Sequence, residues 1–207
     1  MSADRLHASV LILPNPQSST PEHLAEIPRV RDNITFAIDI STDILTLYTG
    51  SASRGDDISG LLYVPRVAET VRCPDLSQIP SNVTHKDDLP NANYALIGFA
   101  PWISGGCSQL FLKAVSTDTS IVRAFIFFTP EADISIPPRS HSAWSGVSFK
   151  NLDFPVYAIQ GLDGVRLMGK VAEYSGNMSD AWEAHNLTSY YNATDYARVF
   201  MEIDTGN

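Results

Sequence analysis

The chain has few charged residues, and basic ones are the scarcer kind. Charged residues make up 18% of its 207 residues, with 14 Lys and Arg against 23 Asp and Glu, so that the formal net charge is -9. No run of basic residues occurs anywhere. Nucleic acids and anionic membrane surfaces both attract clusters of Lys and Arg. The sequence therefore excludes a nucleic-acid partner and an electrostatic hold on membranes.

No apolar run is long enough to cross a bilayer, which takes about 20 residues. The run near the start, Ala8 to Leu13, is also too short for the apolar part of a signal peptide and ends at Pro14, so it predicts a first strand. Hydrophobic residues nevertheless make up 44% of the chain, which is ordinary for a folded protein. We expect one domain spanning residues 1–207, with a membrane connection only through a segment outside this chain.

The sequence lacks the spaced motifs of common catalytic and metal sites. No Gly-X-Ser-X-Gly turn is present to hold a nucleophilic serine. The histidines are scattered, and no two are spaced to share one helix face as metal ligands: they are His7, His23, His85, His141 and His185. Adjacent carboxylates, such as Glu131 and Asp133, fall in polar loops where they are solvated. We therefore expect no catalytic residue, no metal and no cofactor.

The most informative segment runs from Tyr94 to Thr129. It contains two continuous apolar runs, Tyr94 to Phe99 and Ala124 to Phe128, separated by a Gly-Gly-Cys turn and an amphipathic helix. Continuous apolar strands are typical of parallel pairs that are buried on both faces. The segment thus predicts a βαβ unit, with Cys107 in the first turn of the crossover helix. The apolar face of that helix repeats at helical spacing: Cys107, Leu110, Phe111, Ala114 and Val115.

Further elements follow from periodicity and turn residues. Asn33 to Ile40 alternates as a half-buried strand, and we expect it to form a hairpin with Ile44 to Thr49 through the turn Ser41 to Asp43. We also expect strands at Gly60 to Val64 and Val156 to Gln160, a helix from Asp163, its N-cap, to Tyr174, and a closing strand or helix at Tyr196 to Ile203. Long loops run from Arg66 to Asn93 and from Pro130 to Leu152.

Three stretches together resemble the protease-associated domain. They are Gly60 to Pro65 followed by Cys73, the segment from Ala95 to Phe128 with its Gly-Gly-Cys-Ser turn, and Phe154 to Ile159 followed by Asp163-Gly164. They come in the order of that family and cover about residues 33–175. The resemblance implies an α/β fold with a mixed β-sheet or open barrel flanked by two main helices. It also implies a non-catalytic domain, which in that family accompanies peptidases, sorting receptors and membrane-anchored RING ubiquitin ligases.

The two cysteines are Cys73 and Cys107. The resemblance places a cysteine at each position, and a single disulfide between them suits an oxidising compartment. Two buried free thiols are the structural alternative. A reactive Cys107, activated by the helix N-terminus, is the chemical one.

Five Asn-X-Ser/Thr sequons point to the secretory pathway. They lie at Asn33, Asn82, Asn177, Asn186 and Asn192. We expect a glycoprotein on the luminal or extracellular face of the Golgi, endosome, vacuole or plasma membrane. Since no signal peptide is visible, we also expect the natural chain to be longer at its N-terminus.

Aromatic residues in loops are the candidate ligand contacts. Trp102 follows a predicted strand, and Trp144 and His141 lie in the loop that begins at Pro130. Ligands tend to meet α/β sheets at such connections, although a structural role for both tryptophans, as lids packed over the core, is the favoured interpretation. We expect a recognition module for a protein or peptide cargo, with a transmembrane RING ubiquitin ligase as the parent protein. The alternatives are an accessory domain of a secreted or vacuolar peptidase and a carbohydrate-binding module that uses both tryptophans.

Overall fold

A computed structural model describes residues 6–12, 37–50, 58–89, 95–116, 121–131, 136–159, 162–175 and 199–204. These residues form seven strands, two helices and two short 3-10 helices. The strands are β1 Leu6–Ile12, β2 Ala37–Tyr48, β3 Ile58–Tyr63, β4 Leu96–Pro101, β5 Val122–Phe128, β6 Val156–Ile159 and β7 Val199–Asp204. The helices are α1 Gly105–Ser116 and α2 Leu162–Glu173, and the 3-10 helices are Lys86–Asp88 and Ser142–Trp144.

The seven strands form a closed barrel in the order β1-β2-β6-β5-β4-β3-β7. Strands β3, β4, β5 and β6 run parallel to one another, and the remaining pairs are antiparallel. Strand β7 pairs with β1 on one side and β3 on the other, so that it closes the sheet. The predicted mixed sheet with two helices is confirmed. The barrel is closed rather than open, because the last strand fills the gap between the first and the third.

The predicted βαβ unit is confirmed as β4, α1 and β5. The two strands are parallel, with Ile97 opposite Ala124, and every residue of β4 is buried. Ser104 caps the helix between them, because its Oγ accepts a hydrogen bond from the Cys107 backbone N–H at 3.2 Å. Cys107 therefore lies in the first turn of α1, as the sequence predicts.

The predicted hairpin at Ser41 to Asp43 is wrong, since β2 is one continuous strand of twelve residues. Its first half pairs with β1, and its second half pairs with β6 from Ile44 onward. The three residues predicted to form the turn, Ser41 to Asp43, include neither Gly nor Pro. The two halves of the strand pair with different neighbouring strands, so the backbone stays extended. The start of the predicted strand Asn33 to Ile40, residues 33–36, lies outside the described residues.

Both faces of the parallel strands are buried against separate apolar clusters. Phe125 and Phe127 belong to the cluster that contains residues of α1, whereas Ala124, Ile126 and Phe128 belong to the one that contains residues of α2. This explains why β5 reads as a continuous apolar run.

Helix α2 begins at Leu162, so Asp163 lies in its first turn rather than at the predicted N-cap. The Asp163 carboxylate lies 3.7 Å from the Arg166 guanidinium, one turn further along the helix. The helix packs closely on β5 through Gly164, where a Cβ atom would lie 2.3 Å from Cβ of Phe128. The glycine of the Asp-Gly helix start is therefore required by contact with the sheet.

Candidate functional site

A cleft opens where the loops after β3, β4 and β5 meet. Its volume is about 210 Å³. The residues that line it come from all three loops: Asp75 and Gln78 after β3, Trp102 and Ile103 after β4, and Thr129, Pro130 and Glu131 after β5.

The three loops meet because β3, β4 and β5 are parallel neighbours, so their carboxyl ends share one edge of the sheet. Trp102 comes directly after β4, and its backbone N–H donates to the carbonyl of Phe128 at 2.7 Å. This bond brings Trp102 beside Thr129, the first residue after β5. Ligands commonly bind at this edge of α/β sheets.

A disulfide between Cys73 and Cys107 holds the loop after β3 in place. Both cysteines are fully buried, and the bond joins this loop to the first turn of α1. The Ser104 hydroxyl adds a hydrogen bond to the carbonyl of Arg72 at 3.3 Å. The predicted disulfide is confirmed, and the alternatives of free thiols and a reactive Cys107 are wrong. The cysteines position Asp75, two residues beyond Cys73, at the cleft.

Two buried polar atoms of the cleft residues have no hydrogen-bond partner within the described part of the chain. They are Nε1 of Trp102 and Oγ1 of Thr129. Thr129 is only 1% exposed, so water does not reach its hydroxyl freely. A buried polar group without a partner costs about 1–3 kcal/mol, and native proteins rarely leave one unsatisfied. The two residues that carry these atoms both line the cleft.

The cleft is electronegative. Asp75 and Glu131 are exposed carboxylates, and none of the residues that the structure places along its walls is basic. The Ser77 hydroxyl and backbone N–H donate hydrogen bonds to Asp75 and hold the pKa of its carboxyl below the ordinary value, the backbone contact measuring 2.9 Å. Asp75 is therefore charged at neutral pH.

Trp144 is buried behind Trp102 rather than exposed beside it. It is 4% exposed, and its Nε1 donates to the carbonyl of Pro137 at 2.8 Å. Its ring lies 5.9 Å from that of Trp102 and 5.8 Å from the rings of Phe127 and Phe149. Trp144 is thus the core-covering residue of the two and supports the ring of Trp102.

His141 lies outside the lining of the cleft. It caps the 3-10 helix Ser142–Trp144, with its Nδ1 accepting a hydrogen bond from the Ala143 backbone N–H at 3.1 Å. The geometry gives His141 a local structural role beneath Trp144. Its predicted contact with a ligand remains untested.

Asn82 is the only predicted glycosylation site within the described residues. Its side chain is exposed, and Nδ2 donates to the carbonyl of Ala172 near the end of α2 at 2.8 Å. Glycosylation there stays a prediction. The other sequons, at Asn33, Asn177, Asn186 and Asn192, lie outside the described residues.

The sequence indicates Trp102 as a candidate ligand contact but not most of the other residues of the cleft. The sequence places Glu131 in a solvated acidic pair, and no motif singles out Asp75, Gln78 or Thr129. The parallel strands do carry a usable signal, because residues directly after neighbouring parallel strands meet at one edge. That rule places Thr129 beside Trp102, whereas Asp75 and Gln78 also require the disulfide.

Neither a metal site, nor a membrane-spanning helix, nor a similar known protein assigns a function to the cleft. No group of three His, Cys, Asp or Glu side chains that could hold a metal ion occurs in the described ranges. Across those same ranges, every helix is too short or too polar to span a membrane. No protein-family model matches this sequence, and no curated protein matches it significantly.

Proposed function

We propose that this chain is a non-catalytic recognition module that binds a segment of another protein at the cleft. The observation that carries the proposal is the pair of buried atoms, Trp102 Nε1 and Thr129 Oγ1, that lack hydrogen-bond partners in two residues lining the cleft. An indole N–H requires an acceptor, and a hydroxyl accepts or donates. The backbone of an incoming peptide carries both kinds of group and would satisfy these atoms.

The size of the cleft favours one anchoring residue of a longer partner. Pockets for small molecules and cofactors usually measure about 300–1,000 Å³. The volume here is about 210 Å³, enough for one side chain with its adjoining backbone. Peptide recognition often depends on a few such anchors in pockets, while the rest of the peptide lies on the surface.

The buried disulfide supports a location in the secretory pathway, where such bonds persist. Together with the resemblance to the protease-associated domain, it supports a luminal or extracellular module. A membrane-anchored RING ubiquitin ligase is the parent that we propose, and an accessory domain of a peptidase is the alternative. A carbohydrate site that uses both tryptophans is less favoured, because Trp144 is buried and leaves one of the pair, Trp102, to stack on a sugar.

Selection from a library of random peptides tests the proposal. Peptides selected on the immobilised protein are then measured against two variants of the loop after β3. Gln78→Trp places a large side chain in the cleft from an exposed position. Val71→Trp is the matched control, because Val71 is fully exposed on the same loop and does not line the cleft.

We expect the selected peptides to bind the wild type and Val71→Trp equally and to lose at least tenfold in affinity for Gln78→Trp, a factor that corresponds to about 1.4 kcal/mol. Equal binding to all three proteins would place recognition elsewhere. Hydrolysis of peptide or ester substrates at enzymic rates, abolished by one substitution, would contradict the non-catalytic assignment.

A further inference from the structure

The charge at the cleft specifies the chemistry of its partner. Asp75 and Glu131 stand on two different loops and line the same small space, while the lining residues include no Lys, Arg or His. The whole chain carries a net charge of -9, so no general positive potential offsets these carboxylates. A ligand with negative charge is disfavoured here.

We propose that the residue anchored in the cleft is a lysine or arginine of the partner segment, an inference that rests on the proposed function. Its cationic head is held by Asp75 and Glu131, and an adjoining backbone carbonyl accepts a hydrogen bond from Trp102 Nε1. Thr129 Oγ1 completes the set as a donor to that backbone or an acceptor from it.

A basic residue satisfies the cleft better than other ligands of similar size. A free metal cation would meet the carboxylates but would leave the indole N–H, which can only donate, without an acceptor. An anion would satisfy the indole and be repelled by the carboxylates. A basic residue joined to a peptide carbonyl answers both requirements.

The apolar part of the lining suits the stem of such a residue. Trp102, Ile103 and Pro130 are half-buried and line the same space. Long basic side chains bury their methylene groups against apolar surface and keep the charged head at the water. A guanidinium or ammonium group near the Trp102 ring also gains a cation–π contact.

The carboxylate of Asp75 is already held in place in the free protein. The hydrogen bond from the Ser77 backbone fixes its carboxylate, and the disulfide at Cys73 fixes the loop that carries it. A fixed carboxylate loses little freedom on binding a cation, so more of the interaction appears as affinity.

The test uses two capped amino acids that differ in charge and hardly in shape: N-acetyl-arginine methylamide and N-acetyl-citrulline methylamide. Each is added at millimolar concentrations to the ¹⁵N-labelled full chain, and the indole N–H resonances of the three tryptophans are followed. Trp102→Phe assigns the signal of interest. Trp144 supplies an internal control, because its Nε1 is already bonded to Pro137.

We expect the arginine compound to shift the Trp102 resonance and to leave that of Trp144 in place, while the citrulline compound has a much smaller effect. Glu131→Gln and Asp75→Asn should each weaken the arginine titration by about two- to fivefold, as exposed ion pairs do. High salt should weaken it as well.

Equal shifts with both compounds, or no shift of Trp102 with the arginine compound, would overturn the inference. The failure of the inference is distinguishable from that of the proposed function. If library peptides without basic residues still lose affinity for Gln78→Trp, the cleft is a binding site but does not require a basic residue. If the peptides bind Gln78→Trp as tightly as they bind the wild type, the cleft is not the binding site.

Discussion

Thr129 shows how a single residue links stability to function. Its hydroxyl is buried without a partner in the described structure, so replacing it with the methyl group of Thr129→Val removes a desolvation cost. We expect Thr129→Val to raise the free energy of unfolding by about 1–2 kcal/mol while weakening peptide binding. Denaturant unfolding and a peptide titration on the same sample measure the two effects.

Ser108 provides the contrasting control for this substitution. It is fully buried, but its Oγ donates to the carbonyl of Ser104 at 2.9 Å. Ser108→Ala should therefore lower the free energy of unfolding by about 1 kcal/mol and leave peptide binding unchanged. A loss of stability in Thr129→Val equal to that in Ser108→Ala would show that the Thr129 hydroxyl is satisfied within the folded chain.

Tyr157 on β6 makes the free energy of unfolding depend on pH in the alkaline range. Burial raises the pKa of its phenol from 10.0 to about 12. A group whose folded pKa is raised contributes stability that is complete below the unfolded pKa and is lost as pH rises through the folded pKa. The window here runs from about pH 10 to pH 12.

Tyr157→Phe should therefore flatten the fall in unfolding free energy between pH 10 and 12, by up to about 1.4 kcal/mol per pH unit. Denaturant unfolding at several pH values measures the slope. Identical slopes in the wild type and the variant would mean that the phenol ionises freely in the folded protein.

The sequence predicts the positions of some residues at the cleft and not the hydrogen-bonding state of others. Cys107 could be placed because a Gly-Gly-Cys turn opens a periodic helix. The buried Nε1 of Trp102 and Oγ1 of Thr129 could not, because whether a polar atom finds a partner depends on side chains brought from elsewhere in the chain.

At the scale of elements, α2 and β5 are fitted to each other through Gly164. A Cβ at this position would lie 2.3 Å from Cβ of Phe128, a distance that real structures do not show. Gly164→Ala must push the helix from the sheet, and we expect it to lower the free energy of unfolding by about 1–3 kcal/mol. Thermal or denaturant unfolding measures the loss.

Gly169 on the same helix is the matched control, because a Cβ there would meet no heavy atom within 4 Å apart from its own helix. Gly169→Ala should raise stability by up to about 1 kcal/mol through its better helix propensity. If both substitutions had the same effect, the close packing of α2 on β5 would be refuted.

Elements whose partners lie nearby in sequence were predictable, and those with remote partners were less so. Continuous apolar runs identified β4 and β5 as parallel neighbours. The unbroken β2 was missed because its two halves are held extended by β1 and β6, which no local pattern reveals. The same reason hid the pairing of β7 with β1, which joins the two ends of the chain and closes the barrel.

At the scale of the whole molecule, the disulfide joins stability to the shape of the cleft. Cys73 and Cys107 are 34 residues apart in sequence, and closing such a loop is worth about 3–4 kcal/mol in the chain-entropy model. The double variant Cys73→Ser, Cys107→Ser should lose about that much stability and also bind peptide more weakly, because the loop that carries Asp75 and Gln78 is released.

Thiol counting under denaturing conditions tests the bond itself, and we expect no free thiol in the oxidised protein. Two free thiols would show that the cysteines are reduced. Peptide affinity that is unchanged in the double variant, measured on folded protein at low temperature, would separate the disulfide from the cleft.

Backbone hydrogen exchange can locate the binding of a partner segment at the loops after β3, β4 and β5. Exchange is compared in the free protein and in its complex with a library-selected peptide. We predict new protection of the backbone amides in residues 75–79, 102–104, 129 and 131, while the protection of α2 stays unchanged. Protection that appears on α2 or on the side of the barrel formed by β1 and β7, and not in those three loops, would contradict binding at the cleft.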